Sequence, residues 1–211
     1  RPSCLEAVSS MEEKIKEFKA EAELLDLHVR IDGTRLVEVT GRVGGYFEVP
    51  GFITETGPGC FAFLKGLKSL RFVEGCEKLE TGTFSGCPGL EKVALPETLT
   101  QIGSSVFFKC GNLREIEIPS KITVIEDDTF RLCSSLTRVR LPDKLKAVGR
   151  GAFEECRSLY KIEIPGYVAR IGDNAFRNDL QLQEAVVPYS IVEMGRDVFK
   201  NCSPQLEIRR R

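Results

Sequence analysis

The sequence predicts a right-handed solenoid with a parallel β-sheet on its concave face and short strands and turns on its convex face. Phenylalanine, proline and leucine each recur with a period of 23 residues. The phenylalanines are Phe61, Phe84, Phe107, Phe130, Phe153, Phe176 and Phe199. The prolines are Pro96, Pro119, Pro142, Pro165 and Pro188, and the leucines are Leu67, Leu90, Leu113, Leu136, Leu159 and Leu182. Self-similarity at a fixed period of this length is the sequence signature of a repeat protein. We therefore expect about seven stacked turns, one for each repeat.

Each repeat contains a short strand that ends at a proline. In one unit, Val139 and Leu141 alternate with Arg138 and Arg140, which is the pattern of a half-buried strand. Pro142 ends that strand because proline has no N–H group to donate to a ladder. A single unit cannot bury its apolar side alone, so successive units must stack to form a continuous core.

The N-terminal part of the chain has a different period and predicts a cap on the first turn. Apolar residues recur there at intervals of three and four, at Leu5, Val8, Met11, Ile15, Phe18, Ala22 and Leu25. This spacing predicts an amphipathic helix, and a hairpin with a two-residue turn at Asp32–Gly33 is expected to follow it. We therefore assign residues 1–40 to a helix–hairpin cap and residues 41–211 to the solenoid.

Both ends of the solenoid have an alternative interpretation. The apolar stripe of the helix would also fit the groove of a partner protein, although a cap is favoured because an uncapped solenoid exposes its core. At the other end, the sequence after Phe199 begins another turn and shows no capping pattern. We expect this open C-terminal edge to be covered by another chain or by further residues.

The repeat resembles the BspA-type leucine-rich repeat. Its pattern is F-x-x-C-x-x-L-x-x-I-x-I-P, followed by an aliphatic residue, x-x-I-G and A-F, and residues 153–176 (FEECRSLYKIEIPGYVARIGDNAF) match it at almost every position. The resemblance extends roughly from Phe47 to Ile208 and identifies the fold class as a leucine-rich-repeat solenoid. It implies a protein-binding repeat protein of the cell surface or a secreted one, with an intracellular or organellar assembly as the alternative.

The composition excludes several classes of function. The 30 basic residues are balanced by 31 acidic ones, so we expect no nucleic-acid partner. No stretch of about eighteen apolar residues is present, which argues against membrane insertion. His28 is the single histidine of the chain, so His-dependent catalytic and metal sites cannot be assembled. We expect no enzyme activity, no metal and no cofactor.

The eight cysteines are explained by the repeat. Five occupy one column, three residues after the phenylalanine: Cys87, Cys110, Cys133, Cys156 and Cys202. Cys60 lies in a column of small residues and Cys76 in an aliphatic column, so seven of the eight lie at inward-facing positions. Cysteine at successive turns suits a small buried residue, so we expect a ladder of reduced thiols. A disulfide between neighbouring turns is the open alternative, because columns repeat at about the interstrand distance of 4.8 Å. Asp179 replaces cysteine in this column, and Cys4 lies outside the repeat.

The outward side chains of the strands predict the binding surface. The candidate residues are Lys92, Arg114, Glu115, Glu117, Arg138, Arg140, Tyr160, Lys161 and Glu163. Charges largely alternate from one turn to the next, so we expect cross-strand pairs in the series Lys92–Glu115–Arg138 and Glu117–Arg140–Glu163. The alternation is consistent with a self-neutralising surface that keeps the sheet soluble. It is also consistent with a recognition face, because solenoids bind partners on the concave side and arginine and tyrosine are frequent hot-spot residues.

These features together predict a non-enzymatic protein–protein interaction module that could serve as a cell-surface adhesin-like binding protein. The alternative is a structural or adaptor subunit of a larger assembly, which would contact its neighbours through the cap helix and the open C-terminal edge. The sequence does not identify the protein partner.

Overall fold

The computed structural model describes residues 4–42 and 44–211, which form one helix and a series of short strands. The helix is α1 (Cys4–Leu24). The strands are β1 (Leu27–Asp32), β2 (Arg35–Gly41), β3 (Gly45–Val49), β4 (Glu55–Thr56), β5 (Leu67–Phe72), β6 (Lys78–Leu79), β7 (Lys92–Ala94), β8 (Gln101–Ile102), β9 (Glu115–Glu117), β10 (Val124–Ile125), β11 (Arg138–Arg140), β12 (Ala147–Val148), β13 (Lys161–Glu163), β14 (Arg170–Ile171), β15 (Glu184–Val187), β16 (Glu193–Met194) and β17 (Glu207–Arg210).

The strands form a concave and a convex set, as expected for a solenoid. On the concave face, β3, β5, β7, β9 and β11 form a sheet of five strands, and β13, β15 and β17 form a sheet of three. On the convex face, β1, β2, β4, β6 and β8 form one sheet and β10, β12, β14 and β16 form another. Strands of successive turns pair in parallel, which confirms the predicted fold class. The eight concave strands exceed the predicted turns by one, because Phe47 and Val49 add β3 before the first complete repeat.

A column of stacked phenylalanines forms the centre of the core. The six from Phe61 to Phe176 are fully buried. Neighbouring rings of the column from Phe61 to Phe199 lie 5.1–5.4 Å apart between centroids and are stacked nearly parallel, with interplanar angles of 2–14°. This distance is close to the interstrand spacing of about 4.8 Å, so the ring column follows the stacking of the turns.

Glycine in the convex column allows successive turns to approach closely. A Cβ atom on Gly149 or Gly172 would lie within 2.6 Å of a backbone nitrogen of the preceding turn. Glu126 occupies the same column, and the convex ladder is interrupted there, between β8 and β10. Glu80 is also in this column, and its N–H donates a hydrogen bond to the side-chain oxygen of Thr56. The glycine N–H groups of this column, such as those of Gly149 and Gly172, donate instead to a backbone carbonyl of the preceding turn.

Helix α1 packs on the first turn through the C-terminal half of its apolar stripe. The Phe18 ring lies 5.8 Å from the Phe47 ring and 6.0 Å from the Phe52 ring, and Ala22 is buried. Val8, in the N-terminal half, is 53% exposed. The stripe therefore covers the first turn over only part of its length; the side chain of Leu5 lies outside the described residues.

The predicted hairpin is formed by β1 and β2, with its turn one residue later than expected. Asp32 pairs with Arg35, so Gly33 and Thr34 form the turn, and Gly33 has the positive φ of 58° that a tight hairpin requires. Strand β2 also pairs in parallel with β4, so the hairpin extends the convex sheet at its N-terminal end.

Candidate functional site on the concave face

All nine predicted binding residues lie on the concave face, at or beside four neighbouring strands. Seven lie within β7, β9, β11 and β13, while Arg114 and Tyr160 directly precede β9 and β13. Each of these strands has one central apolar residue between two outward positions, which are polar in β9, β11 and β13 and are Lys92 and Ala94 in β7. Val93, Ile116 and Ile162 are buried beneath them. The alternation fixes the outward direction because successive strand residues point to opposite faces.

Ion pairs link the outward side chains in two separate groups. Arg138 contacts Glu115, and Arg140 lies 3.3 Å from Glu117, so both arginines of β11 pair with the preceding strand β9. The guanidinium of Arg138 lowers the pKa of Glu115, which keeps that carboxylate ionised.

The second group is centred on Lys161 of β13. Its ammonium lies 2.9 Å from Glu163 on the same strand and 3.3 Å from Glu184 on the following strand. Hydrogen bonds from Lys161 to Glu163 and Glu184 raise the pKa of Lys161, and the same contact lowers the pKa of Glu163. Lys161 and Glu163 therefore stay charged on both sides of neutral pH.

The predicted cross-strand pairing is only half correct. Within residues 4–42 and 44–211 the Glu115–Arg138 and Glu117–Arg140 pairs form, but neither Lys92–Glu115 nor Arg140–Glu163 meets ion-pair distance. The Arg140–Glu163 pair fails because the concave sheet is interrupted between β11 and β13 and Glu163 turns to Lys161 on its own strand.

The interruption between β11 and β13 opens a cleft of about 740 Å³, which we name the seam cleft. Its lining consists of Thr137, Arg138, Val139, Arg140, Leu141, Asp143, Tyr160, Lys161, Glu163, Pro165, Gly166, Tyr167 and Arg211. Tyr160 is 54% exposed and Tyr167 is 72% exposed, while Val139 is half-buried, unlike the buried residues at its position in neighbouring strands.

The two turns beside the seam cleft remain stacked elsewhere. On the convex face, Ala147 pairs with Arg170 in the β12–β14 ladder. In the core, the Phe130 and Phe153 rings keep a centroid distance of 5.2 Å. The separation is therefore confined to the concave edge of the turns.

Five of the residues that line the seam cleft are predicted from the sequence as binding residues, and the others are not. Arg138, Arg140, Tyr160, Lys161 and Glu163 were candidates, whereas the interruption of the sheet and the lining Tyr167 were not expected. One sequence signal does mark the seam: Arg138 and Lys161 are successive cations in a column that otherwise changes sign or carries no charge from Ser69 to Glu184.

The cysteines lie inside the solenoid, as their columns predict. The thiols of the main column donate hydrogen bonds of 3.0–3.1 Å to phenylalanine carbonyls of the preceding turn; the donors are Cys87, Cys110, Cys133, Cys156 and Cys202. Burial raises their pKa values, to about 12 for Cys87 and Cys202. They are therefore protonated and weakly nucleophilic at neutral pH. The side chain of Cys4 lies outside the described residues.

Asp179 is a fully buried carboxyl group in the cysteine column. Its Oδ1 accepts a hydrogen bond of 2.9 Å from the N–H of Cys156, and its Oδ2 has no hydrogen-bond partner among the residues that the structure describes. Burial raises the pKa of Asp179 well above its usual range, with Glu155 and Glu154 acting in the same direction. Asp179 is thus a destabilising member of the column rather than part of a charged site.

Two further features bear on the class of function. In the described part of the chain, no three histidine, cysteine, aspartate or glutamate side chains are grouped so that they could hold a metal ion. No helix in the described ranges is both long and apolar enough to cross a bilayer.

Comparison with known proteins identifies the repeat. The BspA type leucine rich repeat region matches residues 46–112 and 100–208, in six copies. None of the curated proteins with which the chain was compared matches it.

Solved structures that are similar to this chain include the following three. A leucine-rich repeat protein from T. pallidum has a TM-score of 0.52 and 20% identity, over 87% of this chain and 78% of that one. A leucine-rich repeat protein from Bacteroides ovatus has a TM-score of 0.47 and 22% identity, over 79% of this chain and 66% of that one. The pneumococcal vaccine antigen PcpA has a TM-score of 0.48 and 21% identity, over 78% of this chain and 51% of that one. The chain thus spans about two thirds of the B. ovatus protein and half of PcpA.

The T. pallidum structure supports the fold, and the repeat sequence supports the family. The matched region extends over most of the chain, from residue 46 to residue 208. The protein therefore belongs to the BspA-type leucine-rich repeat family.

Proposed function

We propose that the protein is a non-enzymatic protein-binding module that holds its partner on the concave face. The observation that carries the proposal is the row of exposed polar side chains on β7, β9, β11 and β13 above a continuous buried core. Concave solenoid faces are suited to extended binding surfaces. The stacked core holds the concave face of this protein in a fixed shape before the partner binds, which lowers the entropy cost of ordering the surface on binding.

The chemistry of the concave face favours binding over catalysis. Its carboxylates, such as Glu115 and Glu163, have lowered pKa values in ion pairs, which suits them to hold charge and not to transfer protons near neutral pH. His28 lies in β1, away from the four candidate strands. Exposed arginine and tyrosine side chains, by contrast, are typical of binding hot spots.

A cell-surface or secreted adhesin-like role is the form of this function that family membership supports. A second candidate is a subunit of a larger assembly. The exposed side chains of Val192 and Met194 at the last convex strand and of Ile208 on the last concave strand favour it, because a neighbouring chain or a further turn would bury them. The two candidates use different surfaces, so one set of variants separates them.

The experiment measures binding of the protein to a panel of immobilised extracellular-matrix proteins and to size-fractionated complexes from its source cells. We expect the Arg138→Glu/Arg140→Glu variant to weaken binding at least about tenfold. The control Arg150→Glu/Arg170→Glu reverses two charges on the convex face and should leave it unchanged. Equal loss in both variants would overturn the concave site. Loss only with Ile208→Glu would favour the assembly subunit.

A further inference from the structure

We infer that the seam cleft binds an acidic segment of a protein partner and that one carboxylate of this segment lies between Arg138 and Lys161. The inference deepens the proposed protein-binding function and rests on it. It names the central contact of the concave face and the chemistry of the partner.

The charge pattern across the seam is the first step. Arg138 and Lys161 occupy the same column on successive concave strands, and their carboxylate partners lie away from the seam or on the same strand. Glu115 is on β9, Glu184 is on β15 and Glu163 is on β13 itself. In the described ranges, no ion pair of this chain joins β11 to β13. Like charges on adjacent strands repel each other, which opposes closure of the sheet here.

A second like-charged neighbour pair on the concave face shows how the chain neutralises such a contact. Glu184 and Glu207 face each other on β15 and β17. Arg209 lies 3.1 Å from Glu207 and 3.9 Å from Glu184, so one guanidinium serves both carboxylates. The β15–β17 ladder is intact. Among the described residues, no anion contacts both Arg138 and Lys161, and the ladder there is open.

An incoming carboxylate would supply this anion. It would accept charge-assisted hydrogen bonds from the guanidinium of Arg138 and the ammonium of Lys161, which are stronger than neutral ones. The column would then alternate in sign from Glu115 through the bound carboxylate to Glu184. The exposed fraction of the Arg138 side chain, 77%, leaves the guanidinium accessible for this contact.

The rest of the lining selects a peptide with mixed character. Tyr160 and Tyr167 expose large aromatic surfaces, and Val139 is half-buried beside them. They would pack against apolar side chains that flank the bound carboxylate. Asp143 and Glu163 also line the cleft and would repel a densely charged polyanion. The cleft volume of about 740 Å³ lies within the usual range for binding clefts, about 300–1,000 Å³.

Fluorescence anisotropy with a defined probe tests the inference. The probe is a fluorescein-labelled random copolymer of glutamate and tyrosine in a 1:1 ratio, which is less densely charged than polyphosphate, and a lysine–tyrosine copolymer of the same ratio serves as its positively charged control. We expect Lys161→Glu to raise the Kd at least about tenfold, and Tyr160→Ala, which changes no charge, to raise it about fivefold. Arg71→Glu reverses a charge on β5 of the same concave face and should change the Kd less than twofold.

The outcomes separate the seam from the concave face as a whole. Equal weakening by Lys161→Glu and Arg71→Glu would overturn the seam site but leave concave binding intact. The seam site alone would also be overturned if neither variant changes the Kd of the copolymer while Arg138→Glu/Arg140→Glu still abolishes binding of the natural partner. If polyphosphate displaces the labelled probe as effectively as the unlabelled copolymer does, Arg138 and Lys161 bind polyanions in general. This result would overturn the acidic peptide as the partner. If no concave variant weakens binding of the natural partner, the proposed function itself is rejected.

Discussion

The thiol of Cys133 donates a hydrogen bond to the carbonyl oxygen of Phe107 on the preceding turn, with Sγ and O 3.1 Å apart. The same oxygen accepts the N–H of Cys110 at 3.1 Å, so both of its lone pairs are used. This arrangement recurs along the column and gives the cysteine a role that a purely apolar residue of similar size would not have. It explains why one side-chain type occupies this position in successive turns.

Replacing the thiol should therefore lower the free energy of unfolding by more than the loss of side-chain volume alone would. We expect Cys133→Ala to lower the free energy of unfolding by about 1–2 kcal/mol, because the Phe107 carbonyl loses one partner and a small void forms. Urea denaturation followed by circular dichroism measures the change. Cys202→Ala removes the same bond at a half-buried position and should cost less. An equal cost at both positions would contradict this account.

Thiol reactivity should follow burial along the chain. We expect alkylation by iodoacetamide at pH 8 to be slow for all seven described repeat cysteines, since raised pKa values, such as about 12 for Cys87, leave little thiolate. Reactivity should increase as the pH rises toward these values. Cys202 is only half-buried and should be modified first among them. Mass spectrometry after timed labelling checks the order, and full labelling in denaturant provides the reference.

The buried carboxyl of Asp179 should make stability depend on pH. Its pKa is raised in the folded protein, so the folded state holds a proton that the unfolded state releases above its own pKa of about 4. The wild-type protein should therefore lose stability as pH rises from about 4 toward the raised value. Asp179→Asn removes the ionisation and should be more stable than the wild type at pH 8 by about 1–3 kcal/mol.

A second variant distinguishes ionisation from packing at this position. Asp179→Cys should restore the thiol donor that the Phe153 carbonyl lacks in this turn and should stabilise the protein at both pH 5 and pH 8. The advantage of Asp179→Asn, by contrast, should shrink at pH 5. Chemical denaturation at the two pH values measures both. A constant advantage of the asparagine variant across this range would show that Asp179 does not titrate as its burial implies.

The repeat period alone predicts the core, because each column has one position in a fixed turn. Phe107, Cys133 and Leu136 recur at constant spacing, and residues that recur at the same point of every turn must share one environment. The outward residues Arg138 and Lys161 are placed on the concave face by the same reasoning, since strand residues alternate between faces.

The interruption of the sheet could not be predicted in this way. Whether β11 and β13 form hydrogen bonds depends on small displacements between turns, and these arise from the sum of local charges and contacts. A column alignment treats all neighbouring turns as equivalent. Tyr167 was missed for the same reason, because it faces a cleft only where the turns separate.

The glycine column provides the most direct test of how the turns approach each other. We expect Gly149→Ala to lower the free energy of unfolding by more than about 2 kcal/mol. The added Cβ would lie 2.6 Å from the backbone nitrogen of Asp127, and neither backbone can move without disturbing the ladder.

A matched glycine outside this column serves as the control. Gly166→Ala places its Cβ in open space, with no atom of another described residue beyond its chain neighbours within 4 Å, and should be neutral or stabilising by up to about 1 kcal/mol. Thermal and urea unfolding of the two variants give the comparison. A small effect at Gly149, equal to that at Gly166, would mean that the turns separate easily at the convex face. Glu126 would then not explain why the ladder is interrupted between β8 and β10.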